Sequence, residues 1–308
     1  MKDGKSEITG KRYTMTMLFL VAGISSSAYY DKRKSKEFPC KRGPKPIYSD
    51  EVILAQIRYE IENCCFHSEG YKKIHARLKK KGFICGKNRV LNLMQDNNLL
   101  APIRPKSNGS SRPHNGTIIT DIPNRMWGTD GKQFYTRKEG LCWLFSVIEH
   151  FNDEILGWHT AKIGNRFAAL EPVRQAVKQN FGSLDKDVVK DIGLFLRPDH
   201  GSQYDSNDFQ NEIKYLGLNY SPAFVRSPQC NGIIERFHRT IQEQVFDIYV
   251  FEDLEEATKI IGDFIEKYNH EWILHRLNFM SPIEYRNNMS FQKRKDTSKS
   301  KKESSQKS

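Results

Sequence analysis

Three acidic side chains stand out by their surroundings: Asp130 in MWGTDGKQFYT (126–136), Asp199 in RPDHGSQYDS (197–206) and Glu235 in NGIIERFHRT (231–240), with 35 residues between Asp199 and Glu235. Carboxylates delivered from separate elements can hold two divalent metal ions against a phosphodiester, so the chemistry they suit is phosphoryl transfer on DNA. Spacing alone is a weak signal in a chain with 37 acidic residues; the context of each residue carries more. Asp130 follows Trp127 and precedes an alternating segment through Phe134 and Tyr135, as a carboxylate on the first strand of a sheet would. Asp199 follows the apolar run IGLFL (192–196), closed by Arg197 and Pro198, with Gly201 supplying a turn. Glu235 falls just inside a helix opened by Asn231 and Gly232. Without cations, three such neighbours would repel and one would take up a proton, so metal is a physical requirement of this reading.

The elements that must position these residues begin near residue 121. WGTDGKQFYT, LCWLFSVIEHF (141–151) and EILGWHTAKI (154–163) are β-rich, the last two separated by Asn152 and Asp153, and they predict an antiparallel meander. A helix is expected from about Arg166 to Asn180, then the strand before Asp199, a short helix near 207–216, and the helix of Glu235. On that last helix Ile234, Phe237, Ile241 and Val245 form one buried stripe, leaving Glu235, Arg239 and Gln242 on the neighbouring face. His200 and His238 adjoin the carboxylates and suit DNA positioning or packing better than metal ligation. Asp153, Asp205 and Asp208 read as turn or cap residues.

Upstream, Ser49 is the expected N-cap of a helix with an Ile53, Ile57, Ile61 stripe. Tyr71, Ile74 and Leu78 mark a second helix, stopped by Gly82, and Val90, Leu91 and Met94 mark a third. Helix, tight turn, helix presents a recognition helix to a DNA groove, and Lys87, Arg89, Asn92 and Gln95 lie largely off its apolar stripe. Any of these four could touch phosphate or base edges, or serve only as a polar solvent face. Residues 31–48 and 101–120 read as linkers, and 290–308 as a disordered, Lys- and Ser-rich tail. Residues 1–120 carry 23 basic and 10 acidic side chains, residues 121–291 carry 19 and 25, and residues 292–308 carry 7 and 2. Basic wings suited to a polyanion thus flank an acidic middle that needs metal before it can approach one.

Lys11 and Arg12 before MTMLFLVAGI (15–24) and SSSA (25–28) imitate an export signal. The same stretch reads better as an apolar helix, a turn at Gly23, and a second helix capped by one of Ser25 to Ser27 and ending at Tyr29 and Tyr30. No apolar run reaches the roughly 18 residues of a membrane span. The six cysteines form no CxxC pair, and Cys64, Cys65, His67 and His75 lack zinc-finger spacing. Buried free thiols in a reducing, cytoplasmic setting are expected.

The segments GTDGKQFYT, LRPDHGSQY and SPQCNGIIERFHRT resemble the catalytic core of bacterial insertion-sequence transposases of the insertion-sequence-three family, specifically their second-frame (OrfB) protein, cousins of retroviral integrases. MTMLFLVAGISSSAYY (15–30), EGYKKIHARLKKKGFICGKNRVLNLMQDNNLL (69–100) and MSPIEYR (280–286) are similar to the opening segment, the DNA-binding helical module and the closing signature of that family. The resemblance implies an α/β, ribonuclease-H-like mixed sheet with flanking helices, preceded by small all-α helix-turn-helix-type segments. It divides the chain into a helical segment (1–30), a linker (31–48), a DNA-binding module (49–100), a second linker (101–120), an integrase catalytic core (121–289) and the tail. Asp130, Asp199 and Glu235 become both catalytic residues and metal ligands, with Arg239, Gln242, His238, Lys87, Arg89 and Asn92 contacting DNA. Two magnesium ions, replaceable by manganese, would serve an in-line attack that cleaves element ends and joins them to target DNA. The implied partners are the terminal repeats, target DNA, a first-frame (OrfA) protein or a fusion with it, and further copies of the chain on DNA, in the bacterial cytoplasm at the nucleoid and away from membranes. No heptad segment is read at the N-terminus, so the chain is expected to be the catalytic part of such a fusion. The family usually carries Lys or Arg seven residues after the glutamate, where this sequence has Gln242. That neutral amide is the feature behind an alternative reading, a decayed or domesticated DNA-binding regulator; a nuclease that cuts without joining is another.

Overall fold

The computed structural model describes residues 4, 10–33, 46–102, 119–199, 201–221 and 232–289, in two compact units divided between Ile47 and Tyr48. In the first unit, helix α1 (Met15–Ala22) is opened by Thr14, whose side chain accepts from the Met17 N–H, and closed by Gly23 in the left-handed region at φ 62°. Helix α2 (Ser26–Arg33) starts at a cap on Ser25, which accepts from Ala28 N, and runs past the Tyr30 end read from sequence into the expected linker. Its Tyr29 ring lies 5.1 Å from Phe19 of α1. None of the described helices is long and apolar enough to cross a membrane. The rest of the first linker (34–45), most of the second (103–118) and the tail (290–308) lie outside the described residues.

The second unit begins with three helices, α3 (Asp50–Glu62), α4 (Tyr71–Lys80) and α5 (Lys87–Asp96). Ile53, Ile57, Ile74, Leu78, Val90 and Met94 are fully buried and form their common core. The stripe expected to include Ile61 turns instead onto Glu60: Ile61 is exposed, while Glu60 is buried and held by Gln56 and Lys81. A 13-residue helix rotates its apolar face as it advances, and the third turn meets a charged neighbour rather than core.

Strands β1 (Met126–Thr136), β2 (Gly140–Glu149) and β3 (Ile155–Ala161) form the expected antiparallel meander. Helix α6 (Arg166–Phe181) crosses back over it, close enough that a Cβ on Gly157 of β3 would come within 2.1 Å of the Pro172 carbonyl oxygen. Strand β4 (Phe195–Pro198) then adds to β1 in parallel. Ile192, expected in that strand, sits in a preceding 3-10 turn, and Gly193 at φ 66° reverses the chain before the strand starts. Helix α7 (Asn207–Leu216) is followed by a two-residue strand, β5 (Asn219–Tyr220), that the sequence did not suggest. The sheet order is β3-β2-β1-β4-β5. Helix α8 (Gly232–Ile241), a π-helical turn (Gln242–Phe246), α9 (Leu254–Glu271) and α10 (282–289) complete the chain. Ser281 and Glu284 form a capping box at α10, each side chain accepting from the other's backbone N–H.

Each face of the sheet has its own core. Trp127, Phe145 and Val147 pack with α6 and α7, while Phe134, Leu144 and Ile148 pack with α8 and α9. Phe66, from the segment joining α3 to α4, enters the second of these cores, edge-on to Trp272 at 4.8 Å. The three-helix module is further tied down by Gln244, whose amide accepts from His67 N at 2.8 Å and donates to His67 O at 2.9 Å, and by a Lys80–Glu284 ion pair at 2.7 Å.

Candidate active site

The register of β1 and β4 brings two of the three acids together. Thr129 pairs with Pro198 at the end of the parallel ladder, so Asp130, midway along β1, and Asp199, the first residue past β4, follow side by side, where neighbouring strands are about 4.8 Å apart. Glu235 arrives from α8, which packs its Ile233, Ile234, Phe237 and Ile241 face into the core and leaves Glu235 and Arg239 exposed. Burial pushes the Glu235 carboxyl up from its ordinary range, and the charges of Asp130 and Asp199 push it further, against Arg239 and His238. The three acids predicted from sequence therefore act on one another electrostatically. Tyr204, fully buried, has its phenol raised by burial first and then by the same Asp130 and Asp199 charges.

Asp130 is half-buried and tightly surrounded. Its Oδ1 accepts from Gly131 N at 2.7 Å, and its Oδ2 lies 3.4 Å from Nδ1 of His238. The other ring nitrogen of His238 is 3.2 Å from the Ser146 hydroxyl. His238 is only 7% exposed, so of the two roles the sequence offered, DNA positioning or packing, the structure shows it packed. It lies next to Phe237 at the edge of the buried face of α8 and reaches the sheet at Ser146. His200 lies outside the described residues.

Gln242 opens the π turn, in which Asp247 N reaches back to Gln242 O, and its side-chain amide donates to Asp247 Oδ1 at 2.7 Å. Of the module residues, Lys87, Asn92 and Gln95 are exposed on α5. Arg89 is instead drawn inward: it forms an ion pair with Asp50 and donates to the Tyr48 carbonyl at 2.7 Å, stapling α5 to the start of α3. Asp205 lies in the turn before α7, and Asp208 lies in that helix's first turn, paired with Arg166. Asp153 is in a turn at φ 57°, but it is also buried, with Arg276 paired to it and Arg236 of α8 at 3.8 Å. Among the described cysteines only Cys142 is buried; Cys65 is exposed, and Cys64 and Cys85 are half-buried.

Sequence reasoning missed Ser146, Tyr204 and Gln244. Ser146 had a signal, a lone small polar residue in the apolar run LFSVI opposite Asp130. Gln244 had none, because its role depends on the irregular turn that carries it.

Among the described residues, no three His, Cys, Asp or Glu side chains are gathered as closely as a bound metal would hold them. The donors nevertheless suit one. All three are hard carboxylate oxygens from separate elements, and their mutual effect on Glu235 is relieved by a cation of the magnesium or manganese type.

Comparison with known proteins agrees with this architecture. A family model described as an integrase core domain matches residues 216–278, and one described as an HTH-like domain matches residues 51–107. With the mixed sheet, these define the class: an integrase-type polynucleotidyl transferase core that follows a helix-turn-helix-type module. Transposase InsD for insertion element IS2 of Escherichia coli is 30% identical over 251 residues, covering 79% of this chain and 81% of the relative. InsD of element IS2-9 of strain K12 is equally similar, over 80% of its length. The HTLV-2 integrase catalytic core domain in complex with magnesium aligns at 16% identity and a TM-score of 0.41, covering 53% of this chain and 97% of that one. The chain belongs to the bacterial insertion-element transposases, in the insertion-sequence-three family.

Proposed function

We propose that this transposase cuts DNA at the ends of its own insertion element and joins the freed 3′-hydroxyls to target DNA, with Asp130, Asp199 and Glu235 as its catalytic carboxylates. The observation that supports the reading is geometric: the β1–β4 register sets Asp130 beside Asp199, and α8 turns Glu235 out of the core within reach of both charges, which add to burial in raising its carboxyl. Charges brought from the middle of β1, the end of β4 and the first turn of α8 act in one field, where a phosphodiester could not approach unless they were neutralised. The same three residues would hold the cation, with two magnesium ions as the proposed occupancy and manganese as a substitute. When bound, the ions supply Lewis-acid charge stabilisation for an in-line displacement at phosphorus.

The chain's own residues do the rest. Arg239, exposed one turn beyond Glu235, is the proposed contact for a DNA phosphate beside the carboxylates. Gln242 offers an amide already engaged by Asp247, so it contributes less to end binding than a cation would. Lys87 and Asn92 on the open face of α5 are the proposed contacts of the helical module with the terminal repeat. The module is anchored to the catalytic core through Phe66, His67 and Lys80, so DNA held by one is presented to the other in a fixed relation. A first-frame partner and assembly of several copies on DNA, in the cytoplasm, belong to the same reading.

The test is magnesium-dependent joining of a labelled, pre-cut element end to plasmid DNA, with Glu235→Gln as control. Joined product from the wild type alone is expected. Shortened DNA with no joined product would replace this reading with that of a nuclease.

A further inference from the structure

We propose that His238 is a positioning residue for Asp130, a strut that sets the distance between the strand and the helix carrying two of the three carboxylates. The proposal rests on the reading of those carboxylates as the cation site.

Asp130 and Glu235 come from different elements, β1 and α8, and like charges across the gap between them push those elements apart. His238 sits three residues after Glu235, on the same side of α8, and reaches the opposite wall of that gap. Its Nδ1 lies 3.4 Å from Asp130 Oδ2, and its Nε2 lies 3.2 Å from Ser146 Oγ. Ser146 is fully buried and stands directly opposite Asp130 in the β1–β2 register, so one ring touches both strands of the ladder at the same rung. The remaining oxygen of Asp130 is taken by Gly131 N. The carboxylate is thus held from two sides, by its own backbone and by a ring fixed in the helix.

Chemistry assigns the direction of these contacts. A carboxylate only accepts, so the proton of His238 that faces Asp130 is on Nδ1; in the neutral ring Nε2 is then an acceptor, and the Ser146 hydroxyl fills it. Asp130 therefore selects the tautomer, and the Ser146 hydroxyl, able to donate or accept, supplies the complementary proton to Nε2. With both nitrogens committed to protein groups and the ring 93% shielded from solvent, His238 is suited neither to ligate a metal nor to meet DNA. Groups that orient a metal's carboxylates in this way typically change metal affinity by about 10–100-fold when removed.

The experiment is manganese binding to the full-length protein without DNA, followed by electron paramagnetic resonance, alongside thermal unfolding and the magnesium dependence of strand joining. His238→Ala is expected to raise the half-saturating metal concentration about tenfold, at the low end of that range. His238→Asn, whose amide nitrogen falls near Nδ1, should recover most of the affinity; His238→Gln, which reaches towards Ser146, should recover less at equal thermal stability. Ser146→Ala should shift affinity in the same direction by a smaller factor. If the Asn and Gln variants bind manganese as tightly as the wild type while Asp130→Asn does not, His238 only packs and the proposal fails. Equal weakening by Asn and Gln in step with lost thermal stability would overturn it as well. Undiminished binding by Asp130→Asn would remove the cation-site reading itself, and the strut with it.

Discussion

The helical module and the catalytic face treat their acids in opposite ways. In the module, acids find bases: Glu69 takes Arg77 at 2.6 Å and Lys73 at 3.5 Å, Glu60 takes Lys81, and Asp50 takes Arg89. These pairs use positive charge that the sequence suggested was free for DNA. On the catalytic face, burial first and then the charges of Asp130 and Asp199 raise the carboxyl of Glu235, while Arg239 and His238 act the other way. Paired acids of the first kind hold helices together, whereas like charges of the second kind hold nothing together, which is the pattern expected of the proposed cation site. The same residue types thus mark structure in one region and the proposed chemistry in the other.

The sharpest way to break this contrast is to neutralise one catalytic carboxylate. Glu235→Gln, Asp130→Asn and Asp199→Asn should each lower strand joining by at least about 10³-fold, the scale of losing a transition-state charge stabiliser, while gel-shift affinity for element ends stays near wild type. Loss of DNA binding together with joining in all three would mean that the acids are structural like those of the module.

Phe66→Ala tests the other side, since that ring ties the module to the core. It should cost about 3–5 kcal/mol in urea denaturation, as for other buried phenylalanines, and expose the α3–α4 segment to protease. An unchanged denaturation midpoint would show that the module is held by its ion pairs instead.

Glu149 offers a subtler probe, because it is a buried acid with hydrogen-bond donors in place of a strong ion pair. Asn124 N, Phe151 N and the Trp127 indole donate to it, yet burial outweighs them and its carboxyl is pushed up to about 7. A carboxyl raised in the fold favours its protonated form, so its contribution is fully present below the unfolded value near 4.5 and is lost as pH rises through about 7. Over that window the wild type should lose stability relative to Glu149→Gln, by on the order of 3 kcal/mol at most, read as the difference between the two melting curves. A pH-independent difference would place Glu149 among the fully paired acids.

The smallest effect is expected from Gln242→Lys. The new cation would meet Asp247, the present partner of the amide, so end affinity should rise only a few-fold and the salt dependence steepen by about one counterion. A much larger gain would mean that the π turn opens when DNA binds.

Most of the catalytic architecture was legible because its signals are local. Alternation named the three strands of the meander, and the turn at Asn152 and Asp153 and the stripe from Ile234 to Val245 follow from residues close in sequence. Errors arose where a distant group competed. Arg89 looked free until Asp50, 39 residues away, proved to hold it, and Ile61 looked buried although Glu60 turns inward to Lys81 instead. The short β5 has no period to detect; it forms because β4 leaves a free edge that Asn219 and Tyr220 can pair with.

By itself the sequence singled out the side chains proposed to carry the chemistry, since residue type and the local turn or helix around each acid are written in a few neighbouring letters. Only the tertiary structure decided how those acids meet: the β1–β4 register that sets Asp130 beside Asp199, the packing of α8 that brings Glu235 to them, and the inward turn of His238. The reason is physical. Periodicity reports which face of an element is apolar, but register and the distance between elements are fixed by side chains far apart in the chain, whose contacts exist only once both elements have folded.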